Sequence, residues 1–380
     1  MPFVDRAAGS EIASGRPRSG WGGSVGRSRI LRSLGALFVL ALVAAACGSD
    51  GDGGSVPLED QTLVFANFGA YTPEGFLEEF TAATGAEVTL TEFTNNEDIL
   101  GRLQASGGSG FDVVMISGPY VQTLIDNGWL AELDHEQIPN LENLYPEATQ
   151  LGYDVGNVYS VPYSWGTTGL CYRTDLVDTE IDSWQDLLSP AAELDGKITM
   201  LGTERWLLQP ALLSLGYSIN TQDEAEIEEA KELTLQAKEH LLAFDDTIFY
   251  ERLDAGEAAL VHAWDGWCNY ATNENVEFVV PSEGSDVFAD TMVIMASSEN
   301  QEAAHAFINF VLEPENHVKV AELVLYKVPN APAMELLDPA LVEAYPNLGI
   351  TPEELLEFET ELDLGEAQST WTQAATEIKA

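Results

Sequence analysis

Between residues 62 and 128 short apolar runs alternate with amphipathic segments, and this alternation constrains the fold more than any other feature of the chain. Residues 62–67 (TLVFAN), 87–93 and 111–116 (FDVVMI) have the length and apolar character of strands. Residues 72–74 (Thr-Pro-Glu) supply a capping hydroxyl and a proline suited to a first helical turn. Phe76, Leu77, Phe80 and Ala83 then form one stripe, and Gly85 ends it. Residues 97–104 form a second short helix, and a third ends near Gly128. A β-α-β-α-β order implies a mostly parallel sheet covered by helices, with ligands bound beyond the carboxyl ends of its strands. Further on, strands are expected at 197–201, 258–263, 277–280 and 291–296, and helices at 183–188, 204–214, 224–244, 301–312 and 315–324. The segment 159–172 (YSVPYSWGTTGLCY) reads as a first crossing into a second body, and 291–296 as the return.

The N-terminus is read apart from the fold. Six arginines precede an uncharged run from 33 to 46, which ends in small residues directly before Cys47. That order is an export signal with a lipid-accepting cysteine. An uncleaved anchor is the alternative, but the run is shorter than the ~20 residues a membrane span needs. A translation start nearer Val25 stays open. Residues 47–57, rich in Gly, Ser and Asp, read as a flexible tether. The rest is too long for one core. The expected architecture is α/β with two lobes and a hinge: 58–164 plus 290–334 in lobe 1, and 165–289 plus 335–380 in lobe 2.

The chain carries 63 acidic against 16 basic side chains, a formal charge of −47. The leader holds six of those basic residues and only Asp5 and Glu11 of the acids, so the exported part is more acidic still. Such a field disfavours nucleic acid and anionic membranes and attracts small cations. A salt-adapted surface would account for most of it. Cys171 and Cys268 are an even pair in an oxidising compartment, so a disulfide is expected, with two buried thiols as the alternative. Of the five histidines, His135, His240, His262, His305 and His317, none has the spacing of a zinc hydrolase. The one GxSxG string, residues 22–26 (GGSVG), falls in the leader and not between a strand and a helix, and the chain lacks a P-loop and a GxGxxG turn. Neither catalysis, metal nor cofactor is expected.

Several segments, in order, resemble the periplasmic spermidine/putrescine-binding proteins: 67–71 (NFGAY), 111–117 (FDVVMIS), 159–168 (YSVPYSWGTT), 215–218 (LGYS), 281–284 (PSEG) with Asp290, and 308–312 (INFVL). The resemblance spans residues 62 to about 375. It implies a two-lobed, type II-like binding-protein fold and a monomer that traps a small cation and hands it to an ABC permease. Carried over position by position, it implies an amine-binding Asp290, a stacking Trp264, ligand-facing Tyr71 and Tyr326, a polar contact at Ser117, and rings at Phe68 and Phe288 where the family has tryptophan. Asp265 replaces an asparagine and adds a carboxylate. Glu361 falls on a glutamine. The two acids of the second lobe fall on Thr203 and Trp206, with Glu204 adjacent, and a tyrosine falls on Pro119, with Tyr120 adjacent. One end of the site is thus kept and the other rebuilt, which favours a diamine or another compact amine over a long triamine. In this picture Phe68 and Tyr71 face Trp264 and Asp265 across the cleft. Within the same fold a ferric-ion binder needs paired tyrosines, but Lys327 follows Tyr326; a sugar binder is disfavoured by Asp265 and Asp290. A sensory protein that presents ligand to a membrane receptor is the remaining alternative.

Overall fold

The computed structural model describes residues 56–380. The leader and Cys47 lie outside the described residues, as does most of the tether. Two mixed sheets are flanked by helices. In the first, β1 (Thr62–Phe68) pairs in parallel with β2 (Glu87–Phe93) in unbroken register, Thr62 beside Glu87 through Phe68 beside Phe93. The intervening α1 (Phe76–Thr84) starts later than its Thr-Pro signal implies: Gly75, at φ 78°, is the N-cap, and Thr72 accepts a hydrogen bond from the Asn67 amide instead. Phe76 and Phe80 of α1 pack edge-on against Phe310, and Phe80 also against Phe307. Helix α2 (Asn96–Ser106) is capped by Asn95, which accepts from the Asp98 N–H at 2.9 Å. Strand β3 (Val113–Ser117) is fully buried and runs parallel to β1; α3 (Val121–Asp126) follows.

β4 (Ser160–Gly166) belongs to the first sheet and β5 (Thr168–Arg173) to the second, so Thr167 is the first crossing. After α4 (Gln185–Leu188) come β6 (Ile198–Met200), α5 (Glu204–Leu215) and α6 (Glu224–Lys238). The single helix expected over 224–244 is in fact α6 plus a parallel edge strand, β7 (Leu241–Phe244). No glycine or proline separates the two, so the sequence carries no stop signal. Then follow α7 (Phe249–Ala255), β8 (Leu260–Trp264), α8 (Asp265–Cys268) and β9 (Val276–Val279). The second sheet has the order β7-β6-β8-β5-β9; β5 is antiparallel to both its neighbours, so the sheet is less parallel than expected. Cys171 of β5 is disulfide-bonded to Cys268 of α8, with their Cα atoms 6.2 Å apart.

Residues 280–285 make the second crossing. β10 (Asp286–Ile294) begins five residues before the strand expected at 291, and every residue in it is buried. It is antiparallel to both β3 and β4 and lies between them in the first sheet. α9 (Gln301–Val311), α10 (Pro314–Val324), α11 (Ala331–Leu336), α12 (Pro339–Ala344) and α13 (Pro352–Leu355) follow. Leu337, Leu348 and Leu355 still pack in the core of the first sheet. A two-residue strand, β11 (Glu359–Thr360), pairs with the start of β10, and only then do Leu364 and Trp371 join the second core beside α14 (Gln368–Lys379). The lobe boundaries expected at 290 and 335 therefore differ from the change of core, which falls near 286 and 361. A strand of two residues has no periodicity to reveal it.

Candidate functional site

A cleft of about 1210 Å³ is lined from both sheets and from residues 361–365, the third crossing, where the chain leaves the first core for the second. On the first sheet, Asp290 sits between Ser117 of β3 and Ser164 of β4 in register. Its Oδ1 accepts from the Ser117 hydroxyl at 2.7 Å and its Oδ2 from the Tyr71 hydroxyl at 3.0 Å. Ser117 is held in that role. The Asn96 amide donates to its oxygen at 3.0 Å while the Asn96 carbonyl accepts its backbone N–H, leaving the hydroxyl proton for Asp290. Tyr71 is fixed in turn by the Tyr163 hydroxyl, which donates to its carbonyl at 2.7 Å. Burial pushes the Asp290 carboxyl above its usual range, and the two hydroxyl donors oppose that rise. Burial, with Asp290 beside it, pushes the Tyr71 phenol well above its ordinary value.

Rings form the walls. Phe68 meets Tyr71 edge-on at 5.6 Å, Phe288 meets Tyr326 at 5.4 Å, and Trp264 meets Trp206 at 5.0 Å. Tyr326 lies against the backbone of Gly266, where a Cβ would come within 2.5 Å of the ring. Only a glycine there leaves the tyrosine its place. Trp267, which the sequence reading missed, also lines the cleft and packs 6.0 Å from Trp264.

The carboxylates differ in what already engages them. Glu361 lines the cleft, is 3% exposed, and is pushed up to about 8 by burial, with Asp286 and Asp290 adding to the rise and Arg205 opposing it. Glu204 lines the cleft and accepts from the Gln368 amide at 2.5 Å. The Trp206 indole N–H is committed to Asp286 at 3.0 Å. The Tyr120 hydroxyl points to Glu97 at 3.4 Å. Asp265 departs from its expected role. It is fully buried, does not line the cleft, and accepts from the Lys327 ammonium at 2.5 Å, which also donates to the Asn347 carbonyl. The cause is Lys327, 62 positions away, whose pairing no local pattern announces. Arg205 was also missed. Its guanidinium donates to the Leu362 carbonyl at 2.9 Å and to Asn220 at 2.7 Å, and lies 5.2 Å over Trp371. It ties the third crossing to the second sheet.

A buried acid among aromatic rings, in a cleft between two sheets joined by crossings, defines a solute-binding protein. Residues 76–350 match the family model for bacterial extracellular solute-binding proteins, and the chain belongs to that family. The spermidine/putrescine-binding periplasmic protein of Salmonella typhimurium is 33% identical over 359 residues, covering 93% of this chain and 98% of that one. A putrescine/cadaverine-binding protein of Pseudomonas aeruginosa is 30% identical over 74% of this chain and 83% of its own. Among solved structures, a spermidine/putrescine ABC transporter substrate-binding protein from Streptococcus pneumoniae superposes with a TM-score of 0.73 at 31% identity, covering 84% of this chain and all of its own. A Treponema pallidum lipoprotein gives 0.77 at 25% identity, over 84% of this chain and 99% of its own.

Proposed function

We propose that the cleft captures a small organic cation of the polyamine class outside the cell and that the loaded protein delivers it to an ABC permease. Asp290 carries this reading. It is a carboxylate 8% exposed, with both oxygens held by hydroxyl donors, facing a cleft walled by Phe68, Tyr71, Trp264, Phe288 and Tyr326. Neutral donors fix its position without neutralising it, and aromatic faces attract cations and cover methylenes. The polyamine-binding relatives support the same cargo. One cation–π contact contributes only about 0.5–2 kcal/mol, whereas a micromolar site needs about −8 kcal/mol. The ring set and the acid therefore act together, with water removed by closure about the crossings at Thr167, 280–285 and 361–364. Ligand favours closure because it touches both sides only when they meet. In this reading the protein is exported, held to the membrane by a lipid on Cys47, and works as a monomer.

Trp206, Trp264 and Trp267 report on the cleft, so tryptophan fluorescence tests the cargo. Putrescine should give a saturable change at micromolar concentration and maltose none. A flat response to putrescine, spermidine and cadaverine alike would reject a polyamine cargo while leaving the fold intact.

A further inference from the structure

Asp265 and Lys327 do not line the cleft, yet each stands next to residues that do. Asp265 follows Trp264 and precedes Trp267 by two positions, and Lys327 follows Tyr326. The two are 0% and 3% exposed and are paired at 2.5 Å. Replacing a buried ion pair with apolar residues of like volume is often neutral or favourable, so stability alone gives little account of this one.

Its place in the fold gives more. α8 belongs to the second body, because Cys268 ties it by the disulfide to Cys171 of β5. Lys327 belongs to the first: its carbonyl accepts from the Trp165 N–H of β4 at 3.1 Å, and its neighbours Tyr326 and Val328 lie in the first core. The pair therefore bridges the two bodies. It does so at the first crossing, where the Asp265 N–H donates to the Thr167 carbonyl at 3.0 Å and a Cβ on Gly166 would come within 2.5 Å of the Asp265 carboxylate. The other end of α8 is held from the first body as well. The Asn269 amide donates to the Asn347 side-chain oxygen at 2.7 Å and to the Leu325 carbonyl at 3.3 Å, while the Lys327 ammonium reaches the Asn347 carbonyl at 3.1 Å. Four residues are too few to hold α8 as a helix unaided. Directional bonds at both ends set its angle, which non-directional apolar packing would not.

We propose that Lys327, acting through Asp265, is a positioning residue for the ring wall: the pair is a pivot that registers Trp264 and Trp267 of the second body against Tyr326 of the first. Contacts beside a crossing shift little as the bodies turn about it, so the pivot holds in the open and closed forms alike. The polyamine reading does not depend on it, and only one arm of its test uses that cargo.

The test is Lys327→Met combined with Asp265→Leu, which removes both charges and leaves the net charge beside the cleft as it was. At a melting temperature near that of the wild type, hydrogen exchange of the empty protein and calorimetry with putrescine are the readouts. The amides of Asn269, Tyr270 and Ala271, bonded back to α8, should exchange at least about tenfold faster, while those of β10 keep their rates. Putrescine should bind at least about tenfold more weakly, the cost of ordering two or three loosened rings. In Lys327→Met alone, charge and position predict opposite signs: losing a cation near the cleft favours amine binding, whereas losing the pivot weakens it, and weakening is expected. If the double variant melts well below the wild type, Asn269→Ala, which strands no charge, decides by the same two readouts. Unchanged exchange of these amides, or wild-type putrescine affinity where their exchange is faster, overturns the inference. A wild type that binds no amine overturns the polyamine reading instead, and exchange alone then decides the pivot.

Discussion

Asp290→Asn separates charge from shape at the centre of the site. Ser117 already accepts from Asn96, so its hydroxyl must donate, and the new amide oxygen takes that bond. The amide nitrogen then faces the Tyr71 hydroxyl, whose proton turns to Ser164 at 3.3 Å. Every hydrogen bond survives and only the negative charge is lost. Removing one partner of a buried charged pair costs about 2–5 kcal/mol; at about 1.4 kcal/mol per decade, affinity for a bound ammonium falls about thirtyfold to several-thousandfold. Stability should move the other way. Burial dominates the upward shift of the Asp290 carboxyl, so the empty protein bears a desolvation cost that asparagine does not. Calorimetry with putrescine and a thermal melt without ligand measure the two quantities. Affinity within about threefold of wild type, or a large drop in melting temperature, would refute this reasoning.

Other perturbations probe the frame. Lys327→Met leaves Asp265 buried without its cation and should destabilise the fold by about 3–5 kcal/mol in denaturant titration, while Lys327→Met with Asp265→Leu recovers much of that. Replacing Cys171 and Cys268 with alanine opens a loop of 97 residues and should cost about 2–5 kcal/mol of stability, read the same way against the oxidised wild type. Glu361 adds a pH dependence. Its folded carboxyl titrates near 8 against an ordinary value of 4.5, so the folded state holds the extra proton between these values. Stability from this group is therefore greatest below about 4.5 and declines as pH rises towards about 8; Glu361→Gln should remove that component from a melting-temperature profile.

Much of the first sheet was legible because its strands are separated by capped helices and glycine stops, and because β1 to β3 lie close in sequence. Asp290, Tyr71, Ser117, Trp264, Phe288 and Tyr326 were expected from the family resemblance, carried over position by position, and the structure brings them to one cleft. What escaped was non-local or short. Asp265 could not be told from a cleft acid until Lys327 came beside it. β7 continued a charged helix without punctuation, and β11 has only two residues to pair. Arg205 and Trp267 belong to helices that read as ordinary, and only the approach of Leu362 and Trp264 reveals their positions.

The central claim is that the cleft is a trap for a small organic cation anchored by Asp290. Isothermal titration of the protein with putrescine in moderate salt, against maltose and ferric citrate, tests it most directly. Saturable heat with putrescine alone, abolished in Asp290→Ala, is the expected result. Silence with putrescine and spermidine, or equal heat from the controls, would contradict the account.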